Sequence, residues 1–64
     1  MKIRKLIKLI ESDGWVFDRQ KGDHRQYVHP DKPDLVTISG HPDDEVNPKT
    51  LNSVLKQAGL KKRR

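Results

Sequence analysis

The chain has 64 residues, no cysteine and a formal net charge of +5. A chain this short forms one small domain that buries only about 60% of its unfolded surface, which excludes a large enclosed substrate cavity. The lack of cysteine excludes a disulfide framework, and no apolar stretch has the length of a signal peptide or a membrane span. We therefore expect a cytoplasmic protein whose chemistry takes place on its surface.

Most of the positive charge comes from the last four residues, Lys61, Lys62, Arg63 and Arg64. Residues 1–60 contain ten basic and nine acidic residues, so this part of the chain is almost neutral. We predict a single domain over residues 1–60 and a disordered basic tail over residues 61–64. Such a tail binds any polyanion weakly and without specificity, so the total charge alone does not indicate a nucleic-acid-binding protein.

The first predicted element is a helix over residues 2–13. Its apolar residues follow the i, i+3, i+4, i+7 spacing of a single stripe: Ile3, Leu6, Ile7 and Ile10. Gly14 stands where a left-handed residue would end the helix. The stripe is only three turns long, and such a helix packs against a sheet more often than it lies on a membrane.

Three short runs rich in aromatic and β-branched residues follow, and they predict strands over residues 15–21, 24–29 and 35–39. Lys21-Gly22-Asp23 predicts a tight hairpin turn between the first two strands. Residues 30–34 contain two prolines, which indicates a loop rather than a strand. A polar connection over residues 40–47 then leads to the last element.

The last element is a predicted helix over residues 48–58. Asn47 is a suitable N-cap, Pro48 suits the first helical position, and Gly59 ends the helix. The apolar stripe has the same spacing as before: Leu51, Val54, Leu55 and Ala58. The order helix, three antiparallel strands, helix predicts an α+β domain of two layers, with both helices on one face of the sheet.

The most distinctive group of polar residues surrounds the turn between the first two strands. Its members are Arg19, Lys21, Gly22, Asp23, His24 and Arg25. A histidine just past a glycine turn is expected to be exposed, and an imidazole can accept or donate a proton near neutral pH. Lys21 and Arg25 can hold a phosphodiester, and their charge favours the neutral imidazole that a general base requires. Asp23 acts in the opposite sense, because it favours the imidazolium.

These residue types support RNA cleavage without a metal. A base takes the proton of the ribose 2′-OH, the oxygen attacks the adjacent phosphorus, and cations stabilise the charge on the phosphate oxygens. DNA lacks the 2′-OH and would not react. No second proton-transfer residue is evident, and Lys21, Tyr27 and water stay open as candidates. From the spacing alone, a surface histidine in a merely basic turn is the more common case.

The other two histidines are weaker candidates. If His24 and His29 lie in one continuous strand, they are about 16 Å apart on opposite faces and cannot act as an acid–base pair on one phosphate. His41 precedes the acidic residues 43–45, which lack a recognised ligand spacing and are typical of a solvated loop, so we expect no metal site. Trp15 and Tyr27 could stack on bases, but large aromatic residues in so small a chain are more often core.

Several short motifs are weak one by one but specific in their order and spacing. They are Gly14-Trp15, Arg19-Gln20-Lys21-Gly22, His24-Arg25-Gln26-Tyr27, His29-Pro30, Val36-Thr37-Ile38, Pro48, Thr50-Leu51 and Leu55-Lys56-Gln57-Ala58-Gly59-Leu60. In this order the motifs resemble the HicA-type toxins, the RNA-cleaving half of HicA–HicB toxin–antitoxin pairs. The resemblance covers about residues 3–60, which is nearly the whole chain.

The resemblance implies a double-stranded-RNA-binding-domain-like fold, which agrees with the predicted order of elements. It also implies that the histidine of a Gly-x-His turn, here His24, is the catalytic residue of an endoribonuclease that cleaves mRNA without a cofactor. We expect the neighbouring residues to bind the RNA phosphate: Arg19, Lys21, Gly22 and Arg25. The resemblance further implies a HicB-like antitoxin partner that covers this site.

One residue departs from the family pattern. The family's commonest turn is Gly-Ser-His, whereas this chain has Asp23 between Gly22 and His24. A carboxylate there can repel phosphate or orient the imidazole ring, so the strength of the activity is open. Two alternatives to a nuclease therefore remain: a module that recognises RNA duplexes by shape without cutting them, and an inactivated toxin that acts only as a protein-interaction domain.

Overall fold

The structure is a computed structural model, and it describes residues 1–60. The predicted disordered tail over residues 61–64 lies outside this range. The elements are helix α1 (Ile3–Ser12), strands β1 (Val16–Lys21), β2 (His24–His29) and β3 (Lys32–Ser39), and helix α2 (Pro48–Gln57). The predicted order is confirmed, and the bounds of both helices, β1 and β2 differ from the predicted ones by no more than one residue.

The three strands form an antiparallel meander in the order β1-β2-β3. Both helices pack on the same face of this sheet, because one cluster of buried side chains contains residues from α1, β2, β3 and α2. The cluster consists of Ile3, Leu6, Ile10, Trp15, Tyr27, Val36, Ile38, Val54 and Ala58. The result is a two-layer α+β domain with the double-stranded-RNA-binding-domain-like order of elements, and its second sheet face carries no helix.

The ends of the helices follow from the residues that the sequence places there. Gly14 has φ +107°, and the amides of Gly14 and Trp15 bond the carbonyls of Glu11 and Ile10, which is the Schellman arrangement. The end of α2 repeats these bonds around Gly59. At the start of α2, the side chain of Asn47 accepts a hydrogen bond from the amide of Lys49 at 2.8 Å. These three predicted signals are confirmed.

The start of α1 has no side-chain cap, and the loop before α2 takes over that role. The amides of Ile3 and Arg4 donate to the carbonyls of Asp44 and Pro42, both at 2.9 Å. The acidic residues of the same loop pair with the basic start of the chain: Asp43 with Arg4, and Glu45 with the Met1 amine and Lys2. The acidic loop is therefore an ion-paired cover of the helix start, and not simply a solvated segment.

The third strand is longer than predicted. It begins at Lys32, so Pro33 and Asp34 belong to a strand and the prediction of a loop over residues 30–34 is wrong for residues 32–34. The proline is tolerated because β3 is an edge strand, where a missing N–H need not break the ladder. The turn between β2 and β3 is reduced to Pro30 and Asp31, since His29 pairs directly with Lys32.

Candidate active site

The face of the sheet that carries no helix, here called the open face, holds His24. In antiparallel strands, residues directly opposite each other project to the same face, with their Cβ atoms about 5 Å apart. His24 pairs with Lys21 of β1 and with Ser39 of β3, so these three side chains form one row across the open face. The next row consists of Arg19, Gln26 and Thr37.

A two-residue turn presents His24 at the end of the sheet. Gly22 has φ +61°, which a glycine adopts without strain and which suits the first central position of a type II′ hairpin. The side-chain amide of Gln20 donates to the Gly22 carbonyl at 2.8 Å, and the Gly40 amide donates to the Asp23 carbonyl at 3.2 Å. The turn is thus held from both neighbouring strands, while the His24 side chain stays 60% exposed.

Asp23 lies beside His24 but makes no hydrogen bond to it. Its Oδ1 is 3.7 Å from Nε2 of His24, which is beyond hydrogen-bonding distance, and the Asp23 side chain is 62% exposed. An exposed pair of this kind stabilises the fold by little. The Asp23 carboxylate is therefore an exposed negative charge next to the imidazole, which it does not hold by a hydrogen bond.

A β-bulge at Asp18 determines which basic residues share the face of His24. The register with β2 shifts between Phe17 and Arg19. Strict alternation would put Lys21 and Trp15 on one face, because both are at odd positions. The bulge reverses the alternation, so Trp15 enters the core while Arg19 and Lys21 project to the open face. The predicted site residues Arg19, Lys21, Gly22 and His24 are thereby brought to the same end or face of the sheet.

Arg25 is the predicted phosphate ligand that the structure does not bring to His24. It pairs with Ile38, which is buried on the helix-covered face, so its side chain projects away from the open face. Its Nη1 donates to the Gly40 carbonyl at 2.8 Å. Arg25 therefore ties β2 to the loop after β3, and its position corrects the expectation that it flanks the imidazole.

His29 occupies the opposite end of β2 and the opposite face, as the sequence predicts for two histidines five residues apart. Its side chain is only 7% exposed. The Asp31 amide donates to Nδ1 at 3.0 Å, so the ring proton lies on Nε2, which is 2.8 Å from the Asp13 carbonyl oxygen. Both ring nitrogens are satisfied, and this histidine is structural.

Lys32 completes the same structural cluster. Its ammonium donates to Oδ2 of Asp13 at 2.6 Å and to the carbonyl of Ala58 at 2.8 Å, and it lies 5.9 Å from the centre of the Trp15 ring. The hydrogen bond from Lys32 holds the pKa of Asp13 below its usual value. The cluster connects the ends of both helices to the turn between β2 and β3.

The two large aromatic residues considered for base stacking are both in the core. Trp15 and Tyr27 are each 2% exposed, which confirms the prediction that they are core residues. Burial raises the pKa of the Tyr27 phenol, and its ring packs edge-on against Phe17 on the helix-covered face. Tyr27 is therefore excluded as the second proton-transfer residue, and Lys21 and water remain.

Within residues 1–60, no three histidine or acidic side chains lie close enough together to hold a metal ion. His41 is exposed, and its backbone amide bonds Oδ2 of Asp44 at 3.1 Å. In the same range, no helix is long and apolar enough to cross a membrane.

Two features of the open face were missed by sequence reasoning. Ser39 lies directly opposite His24, and an aliphatic patch of exposed side chains covers the far end of the face, at Val16, Val28 and Leu35. Alternation along β3 would have placed Leu35 and Ser39 on one face. Which residue of β3 lies opposite His24, however, depends on a shift in the register of β2 with β3. This shift occurs between Tyr27 and His29, and the sequence carries no signal for it.

Comparison with known proteins identifies the family. The model of the HicA toxin of bacterial toxin–antitoxin systems matches residues 3–60. The chain belongs to the HicA toxin family. A solved structure described as a toxin–antitoxin complex from Streptococcus pneumoniae contains a similar chain, with 31% sequence identity and a TM-score of 0.77. The similarity covers 94% of this chain and 98% of that one. None of the curated protein sequences matches the chain.

Membership of the HicA toxin family confirms the resemblance and the fold class that the sequence predicts. It assigns the chain to the toxin side of a toxin–antitoxin system, since the matching family consists of toxins. The match covers both helices and all three strands, so the open face with His24 is part of the domain that the family shares.

Proposed function

We propose that the protein is a metal-independent endoribonuclease that cleaves mRNA and uses His24 as its proton-transfer residue. The observation that carries the proposal is the row formed by Lys21, His24 and Ser39 on the open face of a HicA-family domain. It combines an exposed imidazole, a cation and a hydroxyl group where RNA can approach without opening the fold.

In the proposed reaction, the neutral imidazole of His24 takes the proton from a ribose 2′-OH. The 2′-oxygen forms a bond to the adjacent phosphorus, and the bond from phosphorus to the 5′-oxygen of the next nucleotide breaks. The products are a 2′,3′-cyclic phosphate and a free 5′-hydroxyl group. The departing 5′-oxygen takes a proton from water, which reaches the site freely because the row is exposed.

Lys21 is the proposed phosphate ligand next to His24. Its ammonium makes no ion pair within residues 1–60, so it is available to stabilise negative charge on the non-bridging oxygens. Arg19 lies one row further along the open face, and within residues 1–60 its side chain bonds only its neighbour Asp18, at 3.0 Å. Arg25 has no role at the phosphate, because its guanidinium is bonded to Gly40 on the other side of the sheet.

An antitoxin is the proposed protein partner, and the open face is the surface it would cover. Lys21 supplies an unpaired positive charge at one end of this face, within residues 1–60, while the aliphatic patch leaves Val16 56% exposed and Leu35 49% exposed at the other end. An acidic protein surface with apolar residues would complement both ends and exclude RNA from His24. The Streptococcus pneumoniae neighbour, which comes from a toxin–antitoxin complex, supports this partner class.

The second candidate function is RNA binding without cleavage. It is favoured by one observation, the carboxylate of Asp23 at 3.7 Å from the imidazole, since this charge opposes the approach of a phosphate. In this case the domain binds RNA through Lys21 and Arg19 but does not cleave the RNA.

Labelled RNA separates the two functions. Incubated with excess EDTA, the parent protein should yield shorter products that end in a cyclic phosphate, and an all-deoxy copy of the oligonucleotide should stay intact. His24→Ala should slow cleavage by about 10²-fold or more, which is the usual contribution of a general base. A mobility shift with no products from the parent protein would instead identify a binding module.

The control is the fold of the variant. The His24 side chain is exposed and makes no hydrogen bond within residues 1–60, so His24→Ala should change the free energy of unfolding by about 0.5 kcal/mol at most. A folded His24→Ala protein that cuts RNA as fast as the parent would disprove the catalytic assignment.

A further inference from the structure

Helix α1 has an outward face that the core does not explain. Ile3, Leu6 and Ile10 are its buried residues, and they point towards the sheet. On the other side, Lys5 and Lys8 line two adjoining shallow depressions, one shared with Lys2 and Arg4 and the other with Met1 and Leu9. We call the second group, made of Met1, Lys5, Lys8 and Leu9, the outer face of α1.

The acidic loop divides the cations of α1 into two groups. Asp43 pairs with Arg4, and Glu45 pairs with Lys2 and the terminal amine, so these two acids offset most of the positive charge at the start of the helix. Lys5 and Lys8 make no ion pair to any acid of residues 1–60, including Glu11 on the same helix. Their two charges are one helical turn apart and are free to meet a ligand.

The outer face of α1 begins at the same end of the molecule as His24. Gly40 follows Ser39, the neighbour of His24, and its amide bonds the Asp23 carbonyl. A Cβ on Gly40 would lie 2.8 Å from Cδ1 of Ile3, so the first turn of α1 packs directly against this glycine. The whole domain measures 28 × 27 × 16 Å, so an RNA strand of about 20 nucleotides, at about 3.4 Å each, is long enough to reach both surfaces.

The chemistry of the outer face of α1 favours a polyanion. Its charges are lysines, which are depleted at protein interfaces, and it has no aromatic residue of the kind that anchors such interfaces. A membrane-bound helix inserts its apolar stripe into the lipid, but the stripe of α1 is already buried against the sheet. Repeated phosphates on a flexible RNA strand match the two ammonium groups of Lys5 and Lys8, which make no ion pair within residues 1–60.

We propose that the outer face of α1 is a second contact surface for the RNA backbone, separate from the site around His24. This inference rests on RNA being the ligand of the proposed function. Through this surface, Lys5 and Lys8 hold RNA beyond the scissile phosphate and increase affinity without taking part in the chemistry.

Two double variants of equal charge test the inference. Lys5→Gln/Lys8→Gln removes two charges from the outer face of α1, and Lys49→Gln/Lys56→Gln removes two from exposed positions of α2. Both are made in a His24→Ala protein with residues 61–64 retained, and the Kd for a labelled 20-nucleotide RNA is measured by anisotropy over a range of salt. The α1 variant should bind about fivefold more weakly at low salt, and its log–log salt slope should fall by about 1.4, or 0.7 for each lost contact. The α2 variant should keep the parent slope.

Equal weakening of the two double variants would show that only net charge matters, and it would overturn the inference. So would unchanged RNA affinity of the α1 variant combined with a loss of binding to vesicles that contain anionic lipid.

Cleavage assays on the same double variants with His24 retained distinguish a failure of this inference from a failure of the proposed function. If these proteins cut RNA and the α1 variant has the parent KM, the inference fails alone; if RNA stays intact while the α1 variant binds it more weakly, only the cleavage proposal fails. The inference also requires kcat at saturating RNA to be unchanged in the α1 variant.

Discussion

The two ends of the sheet use the same three residue types for different purposes. The end at the β1–β2 turn carries Lys21, Asp23 and His24, and the end at the β2–β3 turn carries Asp13, His29 and Lys32. At the first end the histidine side chain is 60% exposed, and its ring makes no hydrogen bond within residues 1–60; at the second end the side chain is 7% exposed and bonded through both ring nitrogens. Residue type and proximity are therefore not enough to identify a site.

What distinguishes the two ends is whether the polar atoms already have partners. Lys32 donates hydrogen bonds to the Asp13 carboxylate and the Ala58 carbonyl, so its ammonium has little capacity left for a ligand. Lys21 makes no ion pair in the described part of the chain and shares its row with His24. A saturated cluster stabilises the fold, whereas an unsaturated and exposed one is available for binding and proton transfer.

The largest effect expected from this comparison is a loss of stability on replacing His29. His29→Ala removes hydrogen bonds to Asp13 and Asp31 together with the edge-on contact between the imidazole and Trp15, whose ring centres are 5.2 Å apart. The free energy of unfolding should fall by about 1–3 kcal/mol. Urea denaturation measures this loss. The matched control is His24→Ala, which should leave the free energy of unfolding almost unchanged. Equal stability of the two variants would remove the distinction between the two ends.

A smaller effect is expected at the end of the sheet that carries His24, when the charge of Asp23 is removed. Asp23→Ser installs the commonest residue of the family turn, and it should raise RNA cleavage by up to roughly fivefold, because up to about 1 kcal/mol of charge repulsion at the phosphate is relieved. Asp23→Asn is the control that removes the charge and keeps the size. If both variants cut RNA more slowly than the parent, Asp23 orients the imidazole instead of opposing phosphate.

The features that the sequence predicted correctly depend on local signals. The ends of α1 and α2, the turn at Gly22 and the burial of Trp15 each follow from a residue type and its immediate neighbours. Proximity along the chain was enough for these features. Family motifs favoured His24 as the catalytic residue where spacing alone left the choice ambiguous, and this role stays a prediction.

The features that were missed depend on contacts between distant segments. The bulge at Asp18 and the shifted pairing between Tyr27 and His29 decide which residues share a face, and neither has a sequence signal of its own. Arg25 is the exception, because it follows His24 in the same strand, and simple alternation already predicts that the two side chains project to opposite faces. Pro33 was read as a loop residue because its position on an edge strand becomes known only from the sheet order.

The smallest predicted effect is a change in acid sensitivity when Lys32 is replaced. Lys32 lowers the pKa of Asp13 in the folded state, so ionised Asp13 stabilises the fold above the ordinary pKa of 3.8. That contribution is lost as the pH falls through the folded-state value, since protonated Asp13 no longer attracts the ammonium. The difference in unfolding free energy between the parent and Lys32→Met should therefore have its full size above about pH 5 and decrease below pH 3.8.

This difference in unfolding free energy, the stability gap, should decrease without reaching zero, because Lys32 still donates to the Ala58 carbonyl at acid pH. Urea denaturation at several pH values between 7 and 2.5 would measure it, with Lys56→Met as a control that removes a lysine making no ion pair in residues 1–60. A gap of constant size over this range would mean that Lys32 acts only through Ala58 and the face of Trp15. The Asp13 carboxylate would then contribute nothing to the cluster, and the structural end of the sheet would depend on His29 and the backbone carbonyls alone.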